Sequence, residues 1–473
     1  MDFDLVIRHG TLVTAADTVE SDLGICDGRI AAQGRGLRGS REIDAAGLFV
    51  LPGAVDPHVH LEMAISTAAG PTASCDTWAT GTTAAAWGGT TTVIDFVEPE
   101  PGETLTHALA GRRAQAEGRA VIDFGLHMTL SRADHDTLAE LPAMLSAGVT
   151  SFKTYTTYSG LKLDDAGLLS AYHAVGSLSG LVLTHAENDA MIQEATRRLR
   201  QQGRTDPAAH ALARPPEAEV QAVEEALALA KAAQARLYLV HLSTSGAAQA
   251  LQRAQAAGQH AYGETCPQYL LLTADKYEGP GFEGAKFVCS PPLRQAHDSA
   301  RLWHALATGT IQSVGTDHCP FNYAGQKDLR LGSRSGVSPL PAFNEIPGGL
   351  PGVETRLALL YSYGVRPGLL SLNRWVQVCS TNPARLFGLY PRKGTLAPGG
   401  DADVVLFDPR REVTASKAVL HENVDYSPYA GLPLTGYPVT TISRGRILVQ
   451  DGRWLGAEGG GLYVKRGLAG TPV

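Results

Sequence analysis

Two imidazoles, His58 and His60, stand just beyond an apolar run at residues 48–55 that is punctuated by Pro52 and Gly53. Such a run reads as a buried strand. Alternate residues on a strand share a face. Two imidazoles projecting together from a strand end can hold one metal ion. A lone His-x-His pair is equally explained by packing, so the reading depends on further ligands elsewhere in the chain. Lys153, His185, His241 and Asp317 supply them, each closing a separate apolar run.

Taken singly, each of these has an ordinary role. A histidine at a strand end packs or caps, an aspartate caps a turn, and a lysine lays its stem on the surface. Taken together, four imidazoles and a carboxylate suit zinc or a similar borderline ion. Lys153 is the odd member, because an ammonium beside metal cations is electrostatically unfavourable. A neutral amine that captures carbon dioxide becomes a carbamate, whose two anionic oxygens can bridge two metals. Two close metals polarise a carbonyl and lower the pKa of a bridging water. His318 is read as structural or as support for Asp317, and His127 as packing or outer support. His9, His107, His135, His173, His210, His260, His297, His304 and His421 are read as structural.

The elements that must position these groups form a repeating pattern. Candidate strands at 91–96, 122–126, 151–155, 181–185, 237–241, 260–264 and 311–317 alternate with helical stretches, the clearest at 217–235. The pattern predicts a parallel (β/α)8 TIM-like barrel, whose strand C-termini open onto one face. A doubly wound open sheet is the alternative. Neither a dinucleotide-binding glycine motif after the first strand nor a P-loop is present, so nucleotide binding is not expected. The two chain ends differ from the middle: short apolar runs alternate with Gly and Asp turns. They predict a small β-sandwich built from 1–54 and 386–452, with the barrel at 55–385 inserted between them. Residues 453–473 read as a flexible tail or a subunit contact.

The chain has 473 residues, 44% of them hydrophobic, and a net charge of −7. This is the composition of a globular protein with a sizeable core, without a basic footprint for nucleic acid. No segment is long and apolar enough to span a membrane, and the start lacks a secretory pattern, so the cytoplasm is expected. The six cysteines are scattered and read as small buried hydrophobes rather than disulfides.

Several motifs point in one direction. They are Pro52-Gly53-Ala54-Val55-Asp56-Pro57-His58-Val59-His60-Leu61, Gly88-Gly89-Thr90-Thr91 and Ser151-Phe152-Lys153. Gly263-Glu264-Thr265-Cys266-Pro267-Gln268-Tyr269-Leu270 and Ser290-Pro291-Pro292-Leu293-Arg294 follow. Gly315-Thr316-Asp317-His318-Cys319-Pro320-Phe321 and Tyr390-Pro391-Arg392-Lys393-Gly394 complete the set. From about residue 3 to about residue 466 the chain resembles the cyclic-amide branch of the amidohydrolase superfamily, the dihydropyrimidinases and D-hydantoinases.

By that resemblance His58, His60 and Asp317 hold one divalent metal, His185 and His241 hold a second, and carboxylated Lys153 bridges them. Zinc is the expected metal, with manganese the alternative. The family attacks the ring carbonyl with a hydroxide held between the metals. Asp317 then corresponds to the general base and acid, and Tyr158 to the donor for the developing oxyanion. Tyr158 matches a substrate-binding position, and Ser290 and Gly348 match positions that bind substrate largely through the main chain; many relatives carry Asn at the position of Gly348. Loops 61–77 and 155–161 resemble the family's substrate gate.

The implied reaction opens dihydrouracil, dihydrothymine or 5-substituted hydantoins to N-carbamoyl amino acids, in a homotetramer or homodimer. Dihydroorotases carry Arg where this chain has Glu62, whose charge is expected to repel a substrate carboxylate. An allantoinase-like amidase, which shares the metal core but lacks support in the Ser290–Arg294 and Tyr390–Gly394 segments, is one alternative; a non-enzymatic scaffold that has lost its ligands and a one-metal deaminase are the others, separable by metal count.

Overall fold

Gly53 divides the first apolar run between two sheets, so residues 48–55 are not one strand. Phe49–Pro52 belongs to the sheet of the chain ends and Ala54–Val59 opens the barrel. A Cβ at Gly53 would lie 2.1 Å from the Thr91 hydroxyl oxygen, so only glycine lets the chain pass between the layers. The computed structural model describes residues 3–67, 70–328 and 340–473.

The barrel has eight parallel strands whose spatial order follows the sequence: Ala54–Val59, Thr90–Val97, Asp123–Thr129, Ser151–Tyr155, Leu181–His185, Arg236–Leu239, Ala261–Thr265 and Ser313–Val314. It closes where the His60 N–H donates to the His318 carbonyl at 2.8 Å. The Thr316 N–H and hydroxyl also donate to the Asp56 carboxylate, at 3.1 and 2.7 Å. A doubly wound open sheet would keep two free edges and a reversal of strand order; this sheet has neither. The barrel strands are buried almost throughout, as parallel strands covered on both faces must be. Helix Pro216–Ala232 shows how the cover is made: Ala218, Ala222, Val223, Ala226, Leu227 and Ala230 are buried at helical spacing.

Two strands end earlier than their apolar runs suggest. The run to His241 stops as a strand at Leu239, and the run to Asp317 stops at Val314. The chain turns there: His241 and Asp317 have φ of 39° and 52°, outside strand geometry.

The chain ends form one nine-stranded, mostly antiparallel sheet. Its N-terminal strands (Phe3–Val13, Thr18–Cys26, Arg29–Gly34, Gly39–Asp44 and Phe49–Pro52) meet its C-terminal ones (Val404–Thr414, Pro433–Ser443, Arg446–Gln450 and Arg453–Trp454) through the pairing of Val404 with Pro52. Leu5, Ile7, Leu12, Leu23, Val50, Val404 and Ile442 fill its core.

The last residues are not a free tail. Tyr463 bridges Phe124 in parallel, and Val464 N–H donates to the Phe124 carbonyl at 2.8 Å. Arg466 is buried, its side chain bonded to the Leu126 carbonyl. A Cβ at Gly461 would lie 1.9 Å from the Ile122 carbonyl oxygen, which accounts for a glycine at this close approach.

Candidate active site

The strand-end residues meet in one bowl at the C-terminal rim. His58 lies within Ala54–Val59 and His60 just past it. Lys153 and His185 lie on neighbouring strands, and His241 and Asp317 on the turns that follow theirs. One ligand atom each from His58, His60 and Asp317 lies within 4.8 Å of the others. The Asp317 Oδ1 is 3.2 Å from His58 Nε2 and 3.3 Å from His60 Nε2. Beside them, His185 Nδ1 and His241 Nε2 face each other at 2.9 Å. The His58 and His241 rings, 5.5 Å apart between centroids, join the two groups.

The donor set fits a divalent ion. His58 Nε2 is buried and has no hydrogen-bond partner among the described residues, yet it faces a carboxylate and a second imidazole. Its other nitrogen, Nδ1, is fixed by Glu264 at 2.7 Å. His185 repeats the arrangement, with Nε2 held by Glu187 at 2.8 Å and Nδ1 turned inward. A carboxylate on the outer nitrogen is the usual support of a metal-binding imidazole. Burial pushes His58, His185 and His241 below the usual imidazole range, which keeps them neutral. Burial alone would raise the Asp317 carboxyl, but His58 and His60 hold it below its ordinary value. Burial lowers Lys153 to about 8, where a free amine becomes accessible.

These groups line a cavity of about 540 Å³ together with Tyr158, Ser290 and Gly348. The Tyr158 ring lies 5.1 Å from that of His185, on a residue held at φ 76°. Tyr158, His241 and Asp317 are three non-glycine residues in the left-handed region at one site, a conformation that surrounding structure must enforce. Burial raises the Tyr158 phenol, opposed by the Arg214 guanidinium and by Ser290. Gly348 faces Ser290: a Cβ there would sit 3.5 Å from the Ser290 hydroxyl, an ordinary contact. Met63, Ile65 and Tyr155 of the expected gate also line the cavity. Residues 68–69 of that gate lie outside the described residues.

Three expectations change. Glu62 does not face the cavity; its carboxylate is paired with Arg119 at 2.6 and 2.9 Å, so its charge no longer argues against an anionic substrate. His210, read as structural, lines the cavity and donates to the Cys289 carbonyl at 2.8 Å. Glu264 and Glu187 add supporting roles beyond the expected set. Glu264 follows Gly263 in a quoted motif and Glu187 stands two residues after His185, so position along the chain offered a hint. Arg214, which pairs with Glu187 and stacks 5.2 Å from the Tyr158 ring, offered none. His318 is turned away from the bowl toward Asp76 at 3.0 Å. His127 bonds Ser151 and the Pro57 carbonyl.

A closed parallel barrel that gathers imidazoles, a lysine and a carboxylate at its C-terminal rim has the architecture of a barrel enzyme. The amidohydrolase family model matches residues 49–448. A D-hydantoinase of Geobacillus stearothermophilus is 44% identical over 98% of this chain and 97% of its own length. A D-hydantoinase of Streptomyces coelicolor is 43% identical over 98% and 97%. The crystal structure of a dihydropyrimidinase from Brevibacillus agri superposes with a TM-score of 0.94 at 43% identity, covering 99% of each chain. The chain belongs to the amidohydrolase family, which implies a binuclear divalent metal site.

Proposed function

We propose that the protein hydrolyses the cyclic amide bond of 5,6-dihydropyrimidines or 5-substituted hydantoins, releasing N-carbamoyl amino acids. The observation that carries this reading is the convergence of His58, His60 and Asp317 with the facing pair His185 and His241 on one cavity that also holds Lys153. Similarity to a D-hydantoinase and to a dihydropyrimidinase supports the substrate class.

In this reading His58, His60 and Asp317 would hold one ion and His185 and His241 the other, zinc before manganese, and Lys153, carboxylated by carbon dioxide, would supply a further anionic ligand. Such an ion pair supplies a water ionised near neutral pH and a Lewis acid for the carbonyl. Asp317 accepts the proton of the attacking water and returns it to the ring nitrogen as the carbon–nitrogen bond breaks. Tyr158 donates its hydroxyl hydrogen to the oxygen that becomes anionic. Main-chain groups at Ser290 and Gly348 hold the diamide, and Glu264 and Glu187 keep His58 and His185 oriented.

Purified protein, loaded with zinc in the presence of bicarbonate, tests the reading with dihydrouracil and a 5-substituted hydantoin. The expected result is ring opening of at least one, with two metals per chain. Two metals without turnover of either ring would overturn the substrate class. Protein that binds fewer metals and is inert would overturn the site.

A further inference from the structure

Among the described residues Lys153, Lys327 and Lys393 are buried lysines. Lys153 belongs to the site above, and Lys393 meets Asp123, Asp401 and Asp403. Lys327 has no carboxylate partner among the described residues. It closes the short turn Tyr323–Lys327, and its side chain runs into the protein. The Nζ donates to the Val288 carbonyl and to the Pro347 carbonyl, both at 2.9 Å.

Those two acceptors stand at particular places. Val288 precedes Ser290 by two residues, and Pro347 directly precedes Gly348. Ser290 and Gly348 face each other across the cavity wall. The segments also share one main-chain bond, from the Gly349 N–H to the Val288 carbonyl at 3.0 Å. Pro347 has no N–H with which to tie its own segment down. A lysine that reaches both carbonyls therefore sets their separation.

We propose that Lys327 is a positioning residue that fixes the spacing between the two main-chain segments that grip the cyclic diamide. Surface anchoring would leave the ammonium in water; here it is buried, where an unpaired charge is costly. A neutral amine carries two N–H groups, which match the two carbonyls, so the tie does not require the charge. Burial accordingly lowers Lys327 to about 7. The inference rests on the proposed substrate class, since it assigns Ser290 and Gly348 to substrate.

K327M keeps the apolar stem and removes the donors; K327Q restores two N–H groups on a slightly shorter arm. With metal-loaded protein and whichever ring the wild type opens, K327M is expected to raise KM about tenfold, the scale of one lost net hydrogen bond. The kcat stays within about twofold, two metals remain bound, and K327Q recovers part of the KM. If K327M does not fold, the KM of K327Q against wild type carries the test. An unchanged KM, or a joint loss of kcat and metal, would overturn the positioning role, as would failure of both variants to fold. If the wild type opens neither ring, the substrate reading fails first and this inference with it. Wild-type turnover with an unmoved KM in K327M would sink the inference alone.

Discussion

The two ends of the barrel handle buried charge in opposite ways. At the floor, where the strands begin, a buried lysine is matched by carboxylates. Lys393 lies among Asp123, Asp401 and Asp403, Arg444 reaches Asp123, and the Asp123 carboxylate also accepts from the Leu462 N–H. The final residues seal that end by bonding to Phe124 and Leu126. At the rim, where the strands finish, like groups are crowded together, and His58 Nε2 and Glu187 Oε1 are buried without a hydrogen-bond partner among the described residues. Imidazole faces imidazole at 2.9 Å, and Tyr158, His241 and Asp317 adopt φ values that side chains avoid. At the floor the Asp123 and Lys393 cluster is paired by the chain's own groups. The rim is arranged around something the chain does not supply, which is the division of labour expected of a barrel enzyme.

That contrast can be broken or sharpened by substitution. The largest expected effect is at the rim: D317N keeps the side-chain shape and lowers kcat by about 10²–10⁴-fold, the range for losing a general acid–base group. Its melting temperature should stay near that of wild type. Steady-state kinetics and thermal melts decide it; a variant that melts early but turns over normally would reverse the roles assigned to the two ends.

The floor should show the opposite response. K393M removes the shared cation of three buried carboxylates, of which Asp123 keeps Arg444 and Asp401 keeps Arg392, and a loss of about 3–5 kcal/mol is expected from breaking such a buried cluster. Denaturant titration measures the loss, and activity per folded molecule should hold. A kcat collapse without destabilisation would connect the floor to the chemistry.

A smaller effect belongs to the support of the rim. E264Q removes the charge held 2.7 Å from His58 Nδ1. Metal affinity is expected to fall about 10–100-fold, as for other supporting carboxylates, read by competition with a chelator. Unchanged affinity would reduce Glu264 to a packing group.

The smallest effect is a pH dependence at Lys327. Its folded-state pKa is lowered from 10.5 to about 7. Below about pH 7 both states are charged, and the cost of burying the ammonium is fully present. Between about 7 and 10.5 the unfolded chain holds a proton that the folded chain has released, so this group's contribution to stability rises with pH. The thiols that face it stay neutral over this range. Burial pushes Cys75 and Cys289 to about 12 and raises Cys319 well above its ordinary value. The melting temperature of wild type minus that of K327M should therefore rise from about pH 6.5 to about pH 9.5. A difference that falls would mean Lys327 is held charged.

Features encoded by neighbouring residues were legible without coordinates. The period-two placement of His58 and His60, and the strands Ser151–Tyr155 and Leu181–His185 with Lys153 and His185 on them, follow from local apolar patterning. So does the alternation that makes a barrel of the middle and a sheet of the ends. Boundaries were less legible where backbone and pattern part company. Gly53 breaks one apolar run into two sheets, and the turns at His241 and Asp317 follow strands that stop short of their runs.

The sequence by itself singled out the candidate ligands His58, His60, Lys153, His185, His241 and Asp317, because apolar runs and the motifs beside them are properties of the covalent chain. Tertiary structure alone decided what holds and surrounds them. Glu264 reaches His58 across 206 positions, Arg214 reaches Glu187 across 27, Arg119 neutralises Glu62 across 57, and the last residues close the floor against Phe124. Nothing in local spacing specifies those partners. They meet because barrel closure brings distant strand ends and turns together, and a buried charge persists only where such a partner arrives.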